Sequence, residues 1–111
     1  MANNNDLTFT EGETWDFPLQ CNDYTGSKYP VSSAFMRIAD RRMAINIMDI
    51  TTSNGIFINP NDASLVKVFA NPSIPNGIYY YQFWVTGTDG ANSLQSYGQL
   101  EISKKLPSPL P

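Results

Sequence analysis

The hydrophobic positions of this chain recur mainly at every second residue, which is the period of a β-strand with one buried face. The first such run is Trp15, Phe17, Leu19 and Cys21, which alternates with polar residues and Pro18. We therefore expect a strand whose odd-numbered side chains are buried. Because proline has no amide proton to donate to a neighbouring strand, Pro18 predicts an edge position or a bulge.

The middle of the chain keeps this period with one interruption. Met36 and Ile38 belong to a first alternating run, and a second run changes phase at Met48 before it resumes at Ile50. The second run consists of Met43, Ile45 and Ile47. Such a slip predicts a bulge or a short turn. A helix over residues 34–50 is the alternative because Met and Ala favour helices, but the β-branched isoleucines favour strands.

Turn residues separate the remaining strands. Short strands are expected at residues 56–58 and 65–69, and a loop at 71–77, where two prolines and an Asn-Gly pair occur. The last two strands form a hairpin around a Gly-Thr-Asp-Gly turn at residues 87–90. The inward face of the first should carry Tyr79, Tyr81, Phe83 and Val85. The inward face of the second should carry Leu94, Ser96, Gly98, Leu100 and Ile102.

Seven to eight short strands with frequent turns predict an all-β, immunoglobulin-like antiparallel β-sandwich. We expect a flexible N-terminal arm at 1–6, the sandwich at 7–105 and an extended proline-rich arm at 106–111. The predicted core consists of Trp15, Phe17, Leu19, Met36, Ile38, Tyr79, Tyr81, Phe83, Val85, Leu100 and Ile102.

Length and charge narrow the range of functions. A chain of 111 residues is the size of one domain. The net charge is −3, and the short pair Arg41-Arg42 is expected in a solvated turn, so we predict no nucleic-acid partner. The longest apolar run is far shorter than a bilayer span needs, and residues 1–6 do not resemble a secretory signal, so we predict no membrane partner.

Candidate catalytic residues are few. Histidine is absent from the sequence, and the single cysteine, Cys21, continues a buried alternation, which favours a core thiol over a nucleophile. A small hydrolase built on the acidic cluster of Glu11, Glu13 and Asp16 is a remote third hypothesis, because such residues are ordinary at strand ends.

Calcium is the one metal worth weighing, through turn residues rich in side-chain oxygen: Asn59, Asn61, Asp62 and Asp89. No EF-hand spacing is present, and Asn and Asp are the usual turn residues. We therefore predict a non-enzyme with no metal and no cofactor.

Three motifs in order resemble a family of small phage virion domains. Residues 11–19 read Glu-Gly-Glu-Thr-Trp-Asp-Phe-Pro-Leu, residues 74–83 read Ile-Pro-Asn-Gly-Ile-Tyr-Tyr-Tyr-Gln-Phe before an Asp-Gly turn, and residues 98–102 read Gly-Gln-Leu-Glu-Ile. The family includes the N-terminal domain of baseplate upper proteins and stand-alone immunoglobulin-like tail or capsid accessory proteins. The resemblance implies a non-catalytic virion component. We therefore expect a protein that is made in the bacterial host cytoplasm and contacts other virion proteins, as a homo-oligomer or in a symmetric assembly, since particle parts repeat by symmetry.

The segment from Pro75 to Tyr81 also loosely resembles the immunoglobulin pattern Asp-x-Gly-x-Tyr-x-Cys. By that resemblance Tyr79 would be the corner tyrosine, whose hydroxyl bonds to the backbone upstream, and Tyr81 would replace the cysteine. Packing alone would then have to join the two sheets, because Cys21 has no disulfide partner.

The outward face of the last hairpin is the expected interaction surface. If the odd residues of the first strand face inward, its even residues face outward, and residue 84 lies opposite about 95 and residue 82 opposite about 97. Outward positions on the second strand are then Gln95, Tyr97, Gln99 and Glu101. The predicted interaction residues are Tyr80, Gln82, Trp84, Tyr97 and Gln99.

Exposed aromatics on a rigid sheet are typical of contact surfaces. The leading hypothesis is therefore protein–protein docking in a virion, as a tail or baseplate accessory or a capsid decoration protein. The alternative is a carbohydrate- or receptor-binding adhesion module in which Tyr80, Trp84 and Tyr97 form a stacking platform. A third possibility leaves the patch covered by residues 106–110 of the same chain.

Overall fold

The computed structural model describes residues 3–40 and 45–105. In these residues nine strands form two packed sheets, which confirms the all-β, immunoglobulin-like sandwich with more strands than expected. The strands are β1 (Asn3–Asn4), β2 (Leu7–Thr10), β3 (Trp15–Gln20), β4 (Val31–Ala39), β5 (Asn46–Thr51), β6 (Ile56–Asn59), β7 (Asp62–Ala70), β8 (Gly77–Gly87) and β9 (Asn92–Ser103). The predicted Arg41-Arg42 turn, Met43 and the predicted arm at 106–111 lie outside the described residues.

The larger sheet has the order β1-β9-β8-β4-β5, with β2 also paired to β9, and the smaller sheet has the order β3-β7-β6. The pairings are antiparallel except that β1 and β2 run parallel to β9, with Asn4 opposite Tyr97 and Leu7 opposite Leu100. The parallel pairing needs no hairpin because it joins strands from opposite ends of the chain. The expectation of a wholly antiparallel sandwich is corrected at this edge.

Residues 3–6 also differ from the flexible arm expected at 1–6. Asn3–Asn4 pair with β9, and the amide of Asn5 donates to the carbonyl oxygen of Tyr97 at 2.8 Å. A polar sequence can join a sheet edge in this way because the pairing uses backbone groups, which every residue supplies except the amide of proline.

The core fills the space between the sheets. Residues expected there that are buried are Trp15, Met36, Ile38, Tyr81, Phe83, Val85, Leu100 and Ile102. Phe17, Leu19 and Tyr79 are only partly buried. For Phe17 and Leu19 the reason is position, since β3 is an edge strand of the small sheet, which also confirms the edge position predicted from Pro18.

An aromatic stack closes one side of the sandwich. Phe9 of β2 lies 4.6 Å from Trp15 and 5.9 Å from Phe17, measured between ring centroids. Because β2 belongs to the large sheet and β3 to the small one, the stack joins the two sheets without a disulfide. At the same end of the sandwich, the hydroxyl of Tyr79 donates to the carbonyl oxygen of Pro75 at 2.8 Å, the geometry of a tyrosine corner.

Two of the register shifts in the described sheets bear on the predicted orientations of side chains. The register between β4 and β5 shifts so that Ile38 pairs with Met48 and Ala39 with Asn46, which leaves Ile47 unpaired and confirms the bulge predicted from the phase slip. A second bulge lies in β9, because Phe83 pairs with Ser96 and Trp84 with Leu94.

The bulge in β9 corrects two expected orientations. Gln95 was expected to face outward, but it is buried, and its side chain exchanges hydrogen bonds of 2.9 and 3.0 Å with the backbone of Asn22. Leu94 was expected to face inward, but it lies opposite Trp84, and Trp84 faces away from the core because it alternates in β8 with the buried Phe83 and Val85. One extra residue in a strand exchanges the faces of the residues beyond it.

Candidate functional site

Four of the predicted interaction residues form a checkerboard on the outer face of the large sheet. Tyr80 lies directly opposite Gln99, and Gln82 lies directly opposite Tyr97. Each tyrosine therefore has an amide side chain across the ladder, and the two tyrosines are diagonal neighbours, a spacing of about 7–8 Å in such a pair. The predicted opposition of residues 82 and 97 is confirmed, whereas Trp84 lies opposite Leu94 and not opposite residue 95, because Gln95 is the extra residue of the bulge.

The checkerboard forms the floor of a groove of about 450 Å³. Asn4 and Asp6 of the N-terminal segment line it from one side. We call this site the aromatic groove and define it by Asn4, Asp6, Tyr80, Gln82, Tyr97 and Gln99. Sequence reasoning missed Asn4 and Asp6 because it assigned them to a flexible arm.

Hydrogen bonds hold the N-terminal wall of the aromatic groove in position. One carboxylate oxygen of Asp6 accepts the backbone N–H of Gln99 at 2.9 Å. The buried hydroxyl of Tyr81, at the position expected to replace an immunoglobulin cysteine, bonds to the carbonyl oxygen of Asn5 and lies 3.0 Å from Ser96 Oγ. Burial is the main cause that raises the pKa of Tyr81, so this hydroxyl keeps its proton for the bond.

Gly98 permits the close approach of the wall to β9. A Cβ atom at this position would lie 2.8 Å from both the carbonyl oxygen of Asn5 and one carboxylate oxygen of Asp6. A glycine within a strand often marks such a close backbone approach, and this was the one sequence signal that could have indicated the wall.

Trp84, the fifth predicted interaction residue, does not line the aromatic groove. Its indole Nε1–H donates to Oε1 of Gln82 at 3.0 Å. Indole nitrogen can only donate, so this bond orients the Gln82 amide and leaves the amide nitrogen as the end that can donate elsewhere. In this arrangement Trp84 positions Gln82 and adds no wall of its own.

An arginine on β4, Arg37, lies beside the aromatic groove, and its charge is balanced by a carboxylate. Arg37 lies opposite Gln82 and binds Asp49 through Nε and Nη2, both at 3.0 Å. Its guanidinium also lies 5.2 Å from the ring centroid of Phe35. The hydrogen bond from Arg37 is the main cause that lowers the pKa of Asp49, so the pair stays ionised and neutral as a unit.

The outer face of the small sheet carries a second surface, which sequence reasoning missed. Phe57 is 56% exposed and Phe69 is 49% exposed. Pro18, Leu65 and Lys67 surround them. We call these five residues the phenylalanine face. The alternation of Ile56 and Ile58 was a usable signal, because it places the residue between them outward.

Charge on the phenylalanine face is balanced. Lys67 Nζ lies 3.3 Å from a carboxylate oxygen of Asp16 and 5.3 Å from the ring centroid of Phe69. A hollow of about 340 Å³ lies beside Pro18, Phe57 and Leu65. The surface therefore offers apolar area with a paired charge at its margin.

The acidic cluster considered for a hydrolase is arranged as strand-end and turn contacts. Glu13 Oε1 accepts the N–H of Thr10 at 2.8 Å, and Glu11 Oε2 accepts the N–H of Asn76 at 3.2 Å. The third member, Asp16, pairs with Lys67 on the phenylalanine face.

The turn residues weighed for calcium also act as local acceptors. Asn59 Oδ1 accepts the N–H of Asn61 at 2.8 Å. The carboxylate of Asp62 accepts from Ser64 and Lys28, and these bonds lower its pKa to about 2. Asp89 is bonded to the backbone of the same turn and to Tyr29. Over residues 3–40 and 45–105, no three residues of the types His, Cys, Asp and Glu gather as a metal would require.

Cys21 is fully buried, and burial raises the pKa of its thiol to about 11. A thiol with so high a pKa is almost entirely protonated at neutral pH and is therefore a poor nucleophile. This agrees with the expectation of a core thiol.

Comparison with known proteins identifies the fold alone. No protein-family model and no curated protein matches the chain. Among solved structures it is similar to CopC from Methylosinus trichosporium OB3b, with a TM-score of 0.57 and 12% identity over 91% of this chain and 87% of that one. A 2,6-sialyltransferase from Photobacterium sp. JT-ISH-224 aligns with a TM-score of 0.44 and 9% identity over 94% of this chain and 18% of the enzyme. No helix in the part of the chain that the structure describes could cross a membrane.

Proposed function

We propose that the chain is a non-catalytic structural component of a bacteriophage virion, a tail or baseplate accessory or a capsid decoration protein, that acts by docking to other virion proteins. The family resemblance of the three sequence motifs supports the virion role. The observation that carries the docking role is the phenylalanine face, where two large aromatic side chains are about half exposed on a rigid sheet.

Exposed aromatics of this kind favour burial against a partner. Transfer of apolar area from water stabilises a contact by roughly 25 cal/mol per Å², and aromatic residues dominate the energetics of many interfaces. Lys67 is already paired with Asp16, so a partner need not supply a counter-charge. Particle components repeat by symmetry, so one such face on each copy suffices for docking at equivalent positions of a ring or lattice that other virion proteins build.

Copy counting in purified particles tests the virion role. The expected result is that the chain co-purifies with particles through a density gradient, at a fixed stoichiometry to the major capsid protein. Hundreds of copies assign it to the capsid, and about six to eighteen copies, as ring symmetry gives, assign it to the tail or baseplate. Absence of the chain from washed, infectious particles contradicts the proposal.

Variants of the phenylalanine face test the docking role. Phe57→Ser and Phe69→Ser should lower incorporation into particles several-fold while the isolated protein stays folded, because both rings are largely exposed. Tyr24→Ser is the matched control, since Tyr24 is 88% exposed in a loop away from this face. Incorporation that is equal in all three variants refutes docking by the phenylalanine face and leaves the copy-number result standing.

A further inference from the structure

The aromatic groove has the dimensions and lining of a small-molecule site. Its volume of about 450 Å³ lies in the range of about 300–1,000 Å³ that ligand pockets occupy. It is separate from the phenylalanine face, because the two lie on the outer faces of different sheets. A ligand here would therefore constitute a binding activity beyond the docking function.

The lining alternates aromatic faces with groups that form hydrogen bonds. Tyr80 and Tyr97 are diagonal neighbours, and Gln82 and Gln99 occupy the other two corners. Asn4 and Asp6 add an amide and a carboxylate at the wall. The ligand that matches this pattern has apolar C–H faces and a rim of hydroxyl groups, each able both to donate and to accept.

Charge further restricts the ligand. The lining residues in the described chain include one carboxylate and no Lys or Arg. Within the described residues, Arg37 lies opposite Gln82 on β4 and is held by Asp49 in a bidentate pair. An anionic ligand would meet the Asp6 carboxylate with no Lys or Arg among the described lining residues to offset it, so an uncharged ligand is favoured.

We propose that the aromatic groove binds an uncharged saccharide, with Tyr80 and Tyr97 as stacking surfaces and Gln82 as a donor to a sugar hydroxyl. Trp84 is a positioning residue, because its indole N–H holds Oε1 of Gln82 and leaves the amide nitrogen to face the sugar. This assignment differs from the stacking role expected for Trp84 from the sequence.

The groove is built before the ligand arrives. The wall is fixed by the Asn5–Tyr97 and Asp6–Gln99 bonds, and the Gln82 amide by Trp84. Side chains already held in place lose little conformational freedom on binding, which favours a measurable affinity in a shallow site.

An array of uncharged oligosaccharides of glucose, galactose, mannose and N-acetylglucosamine, with acidic glycans included for comparison, tests the proposal when it is probed with the purified full chain. The strongest ligand is then titrated in solution, with backbone amide NMR shifts as the readout. The expected result is saturable binding with shifts confined to residues 3–6, 80–84 and 97–99. No saturable binding to any uncharged sugar, or binding of acidic glycans alone, overturns it.

Variants separate stacking from positioning. Tyr97→Ala should weaken binding about tenfold or more, and Tyr24→Ala, which changes an exposed tyrosine outside the groove, should leave it unchanged. Trp84→Phe should weaken binding about threefold, and Gln82→Leu should weaken it by at least as much. The double variant, Trp84→Phe with Gln82→Leu, should bind no more weakly than Gln82→Leu alone, because Trp84 acts through Gln82.

Additive losses in the double variant refute the positioning role, and binding retained by Tyr97→Ala refutes the site. Each outcome is independent of particle incorporation, which the phenylalanine-face variants measure.

Discussion

The outer face of the large sheet and the outer face of the small sheet both present aromatic rings, but the side chains next to those rings differ. On the large sheet Tyr80 and Tyr97 stand beside amides, and the indole N–H of Trp84 is bonded to Gln82. On the small sheet Phe57 and Phe69 have no polar atom in the ring and stand beside one ion pair. The first face is suited to a hydroxylated ligand, and the second to an apolar protein surface.

The difference between the two faces follows from the chemistry of the aromatic residues and from the backbone segment that borders only one of the faces. A tyrosine hydroxyl or an indole N–H can form a hydrogen bond to a ligand or a neighbour, whereas a phenylalanine ring offers only apolar contact. The large-sheet face also has a wall, because residues 3–6 run alongside β9, and the small-sheet face has only a shallow hollow. Three stability measurements on the isolated protein follow, in order from the largest expected effect to the smallest.

Phe83→Ala and Phe57→Ala compare the same substitution inside the sandwich and on its outer surface. Phe83 is 1% exposed between the sheets, so its truncation should lower the free energy of unfolding by about 3–5 kcal/mol. Phe57→Ala should change it by less than about 1 kcal/mol, because the ring is mostly in water already. Urea unfolding measures both, and equal losses would mean that the phenylalanine face is part of the core.

Gly98→Val breaks the wall of the aromatic groove and leaves the small sheet unchanged. The added side chain would overlap the Asn5 carbonyl and the Asp6 carboxylate, so we expect the free energy of unfolding to fall by about 1–3 kcal/mol. The amide signals of residues 3–6 should shift in NMR spectra. The control is Tyr97→Val, which changes an outward side chain and keeps the backbone bond to Asn5. A Gly98→Val protein as stable as this control would contradict the close approach.

Acid should lower the thermal stability of the folded protein, and this is the smallest of the three expected effects. The pKa of Asp62 is lowered to about 2 by bonds from Ser64 and Lys28, below its ordinary 3.8. A carboxyl with a lowered pKa in the folded state stabilises the protein above its unfolded pKa, and that contribution is lost as the pH falls from about 4 to 2. The pKa values of Asp23, Asp49 and Asp89 are lowered as well, so they act in the same direction.

Thermal unfolding between pH 5 and pH 2 measures this dependence. Asp62→Asn keeps an acceptor oxygen for Ser64 but removes the charge that Lys28 binds, so the midpoint should decline less steeply with acid than in the unmodified protein. Ser64→Ala removes the main cause of the lowered pKa and should also reduce the decline. An identical pH dependence in all three proteins would exclude Asp62 as a contributor.

Much of the fold was predictable because burial repeats with the strand period. Met36, Ile38 and Phe83 fell on the inner face, and the phase slip near Met48 marked a true bulge. Gln95 was assigned to the wrong face because a bulge adds a single residue, and the apolar Leu94 beside it continued the even-numbered alternation of Leu100 and Ile102 past the bulge.

The candidate site was predictable only in part, for a related reason. The register next to the turn, with Trp84 opposite Leu94, would place Gln82 opposite Ser96, and the bulge at Gln95 brings it opposite Tyr97 instead. The contribution of Asn4 and Asp6 depends on pairing between the two ends of the chain, which no local pattern encodes. A glycine within a strand, Gly98, indicated that another backbone segment lies close to β9, but the sequence did not show that this segment is residues 5–6.

The parallel alignment of β1 and β2 with β9 has a mechanical consequence. Residue 3 enters the sheet beside Ser96, and Ser103 leaves it beside Thr10, so a pull on the N-terminal side and a pull on the C-terminal side act along this seam in opposite directions. Tension then loads the hydrogen bonds of the seam together in shear, and they cannot open one after another as they would in an unzipped hairpin. A module fastened at both ends would transmit force through its first and last strands while the rest of the sandwich stayed unloaded.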